Sequence, residues 1–126
     1  MPLVRIDLPE GRSADERAAI ADVVYEAMVA TANVPANDRF VVVAEHPANE
    51  LIIDPHYLLE RSPAALIVQI TLNQGRTLEV KKALYRAIAD RLHERVGIDV
   101  NDVLISLVEV PKENWSFGGG VAQYAD

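Results

Sequence analysis

Ile6-Asp7-Leu8-Pro9-Glu10-Gly11-Arg12-Ser13 returns 64 residues later as Ile70-Thr71-Leu72-Asn73-Gln74-Gly75-Arg76-Thr77. The same ungapped offset lays Ala19 on Ala83, Asn37-Asp38 on Asn101-Asp102, Glu45 on Glu109 and Pro47 on Pro111. Apolar positions also match: Ile20 with Leu84, Val24 with Ile88, Met28 with Leu92, Val34 with Ile98. Apolar agreement alone arises easily by chance. Matched Gly-Arg and Asn-Asp pairs at one offset do not, so the chain is read as a duplication.

Each copy begins with a short alternating apolar run, Leu3 to Leu8 and then Ala65 to Leu72, which fits a strand. A glycine turn and a hydroxyl residue follow. Ser13-Ala14-Asp15-Glu16 is a capping box, with Ser13 as N-cap and Glu16 reaching back; Thr77 keeps the cap without the acidic partner. Helical stripes come next, through Ile20, Val23, Val24, Ala27 and Met28, and through Leu84, Ala87, Ile88 and Leu92. Gly97 suits the end of the second helix. A second strand closes each copy, Arg39 to Glu45 and Val103 to Val110.

The fold expected is therefore α/β. Two strand–helix–strand units, joined by right-handed parallel crossovers, give a four-stranded mixed sheet with two helices on one face. Repeat one spans about residues 2–47, a linker 48–63, repeat two about 64–111 and a tail 112–126, all within a single domain of 126 residues. The linker is read as loop-like, with a short strand at Leu51-Ile52-Ile53 as the alternative for that run. The stretches Phe40-Val41-Val42-Val43 and Leu104-Ile105-Ser106-Leu107-Val108 are apolar on both sides, so the helix-free face needs a cover, and other subunits would supply it.

Composition narrows the function. Half the residues are apolar, which excludes wholesale disorder. A chain this long buries roughly two-thirds of its unfolded surface and needs no staple. There is no cysteine, so thiolate chemistry and disulfides are excluded. The net charge of −7 argues against nucleic acid or an anionic membrane as partner. No stretch reaches the ~20 apolar residues of a membrane span, and the start lacks a charged leader with an apolar run. A cytoplasmic protein is the expectation.

Most site signatures are absent. His46, His56 and His93 have no metal-ligand spacing and are read as surface or packing residues, and no metal or cofactor is expected. Asp15, Glu16 and Asp22 form a solvated helix face. Pro2 differs. A small residue after the initiator permits removal of Met1, which would leave a free proline carrying the only secondary amine a protein can offer. Trp115-Ser116-Phe117-Gly118-Gly119-Gly120 in the tail suggests an aromatic wall or lid.

Taken with Met1-Pro2-Leu3, Asp7-Leu8, Glu10-Gly11-Arg12 and Ala27-Met28-Val29, two more specific runs carry a resemblance: Val34-Pro35-Ala36-Asn37-Asp38-Arg39 and Trp115-Ser116-Phe117-Gly118. Over nearly its whole length the chain resembles the tautomerase superfamily, and within it the malonate semialdehyde decarboxylase branch. That resemblance implies a homotrimer. It implies Pro2 as catalytic proline, Asp38 as acidic partner, Arg76 as one of two carboxylate-binding arginines, and Trp115 and Phe117 as the aromatic wall. Gln74 stands where the branch's other arginine would be, a departure that leaves an amide able to hydrogen-bond a carboxylate or a water. Arg12 and Arg76 are repeat twins, as are Asp38 and Asp102, so one member of each pair serves only its turn in one reading. Tyr124 is assigned neither to the pocket nor to a neighbour.

The implied reaction is cofactor-independent decarboxylation of malonate semialdehyde or another short 3-oxo acid, a lyase step giving acetaldehyde and carbon dioxide. A cationic Pro2 would stabilise charge developing on the carbonyl oxygen, and Arg76 would orient the carboxylate. A neutral Pro2 would instead act as a general base, an isomerase-type tautomerase of 2-oxo acids such as phenylpyruvate. Both substrates are small anionic oxo acids. A retained Met1 would block the amine and leave the scaffold a binding module.

Overall fold

The computed structural model describes residues 2–125; Met1, whose removal the reading of Pro2 requires, and Asp126 lie outside them. Six main elements follow in chain order: β1 (Leu3–Pro9), α1 (Ala14–Thr31), β2 (Val41–His46), β3 (Leu66–Asn73), α2 (Leu78–Val96) and β4 (Val103–Val110). The sheet runs β2-β1-β3-β4. β1 and β2 are parallel, as are β3 and β4, and the two units meet antiparallel along β1 and β3. The expected mixed sheet of two β-α-β units is the one observed.

Local chemistry starts both helices where the sequence marks them. Ser13 Oγ accepts from the Glu16 amide at 3.1 Å and the Glu16 carboxylate accepts from the Ser13 amide at 3.2 Å, closing the box. Thr77 Oγ1 accepts from the Val80 amide at 3.3 Å. Both helices also end alike. Gly97 is left-handed, at φ 75°, and Ile98 N–H donates back to Leu92 O. Asn33, its twin, is left-handed at φ 58°, and Val34 N–H donates to Met28 O. Asparagine is the commonest non-glycine residue there, because its short polar side chain tolerates that backbone.

One sheet face is covered. Val4, Ile6 and Leu8 of β1 and Leu66, Val68, Ile70 and Leu72 of β3 are buried with Ile20, Val23, Val24, Ala27 and Met28 of α1 and Leu84, Ile88 and Leu92 of α2. Each large aliphatic so buried contributes about 1.5–3 kcal/mol of transfer free energy.

The helix-free face differs from the expectation in its middle. The edge strands do carry apolar groups there, with Val42 43% and Val108 38% exposed. The central strands present Arg5 and Asp7 on β1 and Gln69 and Thr71 on β3. Asp7 accepts from Arg5 at 3.0 Å and pairs with His46 Nε2 at 2.7 Å. The central strands turn these polar residues outward between Leu3 and Ile67, and the edge strands add Val42, Ala44, Leu104 and Val108 beside His46 and Ser106.

The alternative strand at Leu51-Ile52-Ile53 does not form. The run leads into a turn in which Asp54 Oδ1 accepts from the His56 and Tyr57 amides, at 2.8 and 2.9 Å, and Ile52 is left 88% exposed. Asp54 offers the backbone a local alternative to pairing, and that alternative prevails. These amides hold the Asp54 carboxyl below the usual carboxylate range.

Candidate active site

Pro2 is buried at the head of β1. The ladder continues past β2, since Val4 N–H donates to Phe40 O at 2.9 Å. The parallel register Val4↔Val41, run back two places, sets Pro2 beside Arg39 and one residue from Asp38. The antiparallel register Leu3↔Thr71 sets Pro2 opposite Leu72, with Asn73 one step beyond. A cleft of about 240 Å3 opens there, lined by Pro2, Leu3, Phe40, Trp115, Ser116 and Phe117. A larger depression, about 410 Å3, lies against the outer side of α2 among Leu59, Lys82, Tyr85 and Arg86, and includes no residue of this group.

The aromatic wall is built by the tail. Trp115 and Phe117 stack, with centroids 5.4 Å apart and planes at 19°, and Tyr124 meets Phe117 edge-on at 5.1 Å. Gly118, Gly119 and Gly120 all have positive φ, which turns the chain back on itself. Gln123 then clips the turn: its Oε1 accepts from Phe117 N–H at 2.9 Å and its Nε2 donates to Gly118 O at 2.8 Å. Tyr124, unassigned by sequence, thus backs the wall.

Asp38 is half-buried in the turn between α1 and β2. That turn is tied to α1: Asn37 N–H donates to the Tyr25 hydroxyl at 3.1 Å, and Arg39 pairs with Asp22 and lies 5.0 Å over the Tyr25 ring. Its twin Asp102 is 4% exposed and accepts from both the amide and the hydroxyl of Ser62, so it serves the linker.

The arginine twins diverge for a readable reason. Arg12 Nη1 is captured by Glu16 at 3.1 Å, one turn into α1. Residue 80 is the counterpart of Glu16, and it is valine. Nothing in the α2 cap holds Arg76, and it reaches across instead: Nε donates to Ala32 O at 2.9 Å and Nη1 to Asn73 O at 3.1 Å. Glu109 is nearby. Its carboxyl sits below the usual range because Lys81 Nζ donates to it at 2.7 Å, helped by the Gly75 amide and the Arg76 charge.

Pro2, Trp115 and Phe117 therefore share one cleft, Asp38 lies on the neighbouring strand's approach, and Arg76 sits at the same end of β3 without lining the cleft. Gln74 is exposed; its backbone amide donates to Val110 O at 3.0 Å, and it is also outside the cleft. Sequence reading missed Leu3, Phe40 and Ser116 as lining residues, and missed Asn73. Phe40 was legible only as a strand residue; the signal that sets it apart is an aromatic placed directly after the Asn-Asp-Arg turn.

His56 and His93 sit where surface or packing histidines would, bonded to Glu60 and to Ile98 O. Among the described residues no three His, Asp or Glu side chains gather as a metal site. None of the helices described is long and apolar enough to cross a membrane.

This sheet, with a buried proline heading a central strand under an aromatic tail, is that of a tautomerase. Two tautomerase enzyme family models match, over residues 38–118 and 2–61. The probable tautomerase YusQ of Bacillus subtilis (strain 168) is 41% identical, over 98% of each chain. The chain belongs to the tautomerase superfamily. FG41 malonate semialdehyde decarboxylase, in a crystal structure inhibited by 3-bromopropiolate, is 39% identical with a TM-score of 0.91, covering 97% of this chain and 93% of that one. The chain falls on that branch. A fused 4-OT, solved as a symmetric trimer, has a TM-score of 0.81 at 24% identity over 98% of both chains and shares the fold.

Proposed function

We propose that the protein is a cofactor-independent decarboxylase of malonate semialdehyde or a similar short 3-oxo acid, acting as a cytoplasmic homotrimer with Met1 removed. The observation that carries the reading is the burial of Pro2 in a cleft walled by the Trp115–Phe117 stack. The trimer reading is supported by the apolar edge strands on the helix-free face and by the assembly of the fused 4-OT.

In this reading Pro2 carries a proton and donates to the carbonyl oxygen of the bound acid. The bond from C2 to the carboxylate carbon breaks, and carbon dioxide leaves. Its electron pair forms the C2–C3 double bond as the carbonyl electrons move onto oxygen, where the prolinium stabilises them. The enolate then takes a proton at C2 from water and becomes acetaldehyde. Asp38 favours the cationic form of the amine. Arg76 grips the carboxylate through the guanidinium edge not engaged with Ala32 and Asn73, holding the breaking bond perpendicular to the carbonyl plane. Gln74 donates its amide to the same carboxylate. The aromatic wall excludes water, which favours turning a charged carboxylate into a neutral gas.

Tautomerisation of 2-oxo acids, with a neutral Pro2 as base, is the second reading. The name of the curated relative YusQ, and Gln74 in place of one of the branch's two arginines, favour it. Carbon dioxide release from malonate semialdehyde, and ketonisation of enol-phenylpyruvate, are measured for wild type, Pro2→Ala and Arg76→Ala. Release that falls in both variants supports the decarboxylase; equal release in all three refutes the site. A titration of the Pro2 nitrogen by NMR separates the readings: a pKa above neutral fits the electrophile, one below it the base.

A further inference from the structure

Asn73 is the last residue of β3, and two groups meet on it. Its side-chain Oδ1 accepts from Trp115 Nε1–H at 2.8 Å. Its main-chain oxygen accepts from Arg76 Nη1 at 3.1 Å. The residue is half-buried, and the strand register sets it one step beyond the residue opposite Pro2. The tail otherwise reaches the cleft as a segment without regular structure after a single 3-10 turn. The indole's one N–H is spent on this acceptor, which ties the polar end of the ring to β3 while its face stacks on Phe117. A stacked pair free to rotate about the Trp115 side-chain torsions would not hold a dry wall over Pro2.

We propose that Asn73 is a positioning residue whose side-chain oxygen fixes the Trp115 indole, and with it the Trp115–Phe117 stack, over Pro2, while its main-chain carbonyl draws Arg76 to the same place. The consequence rests on the decarboxylase reading above, but the placement does not. The acceptor sets how well water is excluded at the reacting carbon, a property of the transition state more than of ground-state binding. Loss of the side-chain oxygen therefore lowers kcat. A negative charge in its place keeps the indole fixed and stands beside the carboxylate-binding arginine, so it raises KM for an anionic substrate and spares kcat.

Trp115 is the sole tryptophan of the chain, which makes its emission a direct readout. Wild type, Asn73→Leu and Asn73→Asp are compared by tryptophan emission, by acrylamide quenching without substrate, and by steady-state carbon dioxide release, with circular dichroism to confirm folding. Asn73→Leu is expected to red-shift the emission, raise quenching about threefold and lower kcat about tenfold, the equivalent of one lost hydrogen bond. Asn73→Asp is expected to keep wild-type emission and kcat while KM rises about tenfold. A folded Asn73→Leu with wild-type emission and quenching overturns the proposal. So does an Asn73→Asp whose emission shifts as far as that of Asn73→Leu. A wild type that neither releases carbon dioxide nor tautomerises a 2-oxo acid sinks the function and leaves the emission arm to decide the placement.

Discussion

Replacing Val80 by glutamate should pull Arg76 away from the site. Val80 occupies the N3 position of α2, three residues past the Thr77 cap, where α1 has Glu16. In α1 that glutamate takes Arg12 at 3.1 Å and closes the box on Ser13. A glutamate at 80 would do both in the second copy. The gains are a reciprocal cap bond and an i,i+4 ion pair, together about 1 kcal/mol. Against them stand the partial burial of Val80 against the core and the two hydrogen bonds of Arg76 to Ala32 and Asn73. Half-burial of a valine is worth about 1 kcal/mol, and neutral-acceptor bonds about 0.5–1.5 kcal/mol each net. The sum leaves the variant less stable, by about 1–3 kcal/mol. The effect on function is larger, because a displaced guanidinium loses a charge-assisted bond to the substrate carboxylate. That is worth about 1.5–3 kcal/mol, or about 10- to 150-fold in kcat/KM. Val80→Gln is the control: it closes the box without a charge to capture the arginine, and should keep kcat/KM within about threefold. Carbon dioxide release supplies the rates. The Arg76 Nε–H signal in NMR, protected in wild type by Ala32 O, reports the displacement without any substrate. A glutamate variant that keeps a protected Nε–H and wild-type kcat/KM would refute the claim that residue 80 decides which way Arg76 points.

Three further outcomes test the fold. Ser13→Ala removes a hydroxyl that accepts from the Glu16 amide and donates to its carboxylate, and should cost about 1–2 kcal/mol in urea unfolding, against about 0.5–1 kcal/mol for Thr77→Ala, whose hydroxyl makes only the cap bond; equal losses contradict the asymmetry. Gly97→Ala forces a side chain into the left-handed region and should cost about 1–2 kcal/mol, whereas Asn33→Gly at the twin position should leave stability unchanged or raise it. Burial pushes the Asp7 carboxyl up, but the hydrogen bonds from Arg5 and His46 outweigh it, leaving it below the usual range. A depressed carboxyl stabilises the fold above its unfolded pKa of about 4 and loses that contribution as pH falls through the lower folded value. Asp7→Asn should therefore weaken the protein at pH 7, and the gap should narrow as pH falls toward 3; a gap of the same size at both values rules the pairing out as the cause.

The duplication, the strands and the helix caps were legible in the chain because their determinants are local. A glycine turn, a hydroxyl cap and a stripe at spacings of three and four act within one or two turns of backbone, and residues 64 apart repeat them. The Leu51-Ile52-Ile53 run reads as either loop or strand for the same reason: its apolar side chains are visible, but the turn that Asp54 makes just beyond it removes it from the ladder. Of the site, Pro2 and the Trp115–Phe117 pair could be picked out by their chemistry, and the resemblance joined Asp38 and Arg76 to them. Tertiary structure decided which partner each long polar side chain reaches. Arg12 and Arg76 are identical residues in matched turns, and only the side chain one helical turn further on, Glu16 or Val80, sends one back to its own helix and the other across to Ala32. Asp102 goes to Ser62, 40 residues away, while its twin stays at the head of β2. Asn73 looks like any residue at the end of a strand until the tail folds over and brings Trp115, 42 residues later, onto its oxygen. Short-range sterics and capping shape the elements, whereas the partner of a long polar side chain is chosen by whatever the packed sheet carries within its reach.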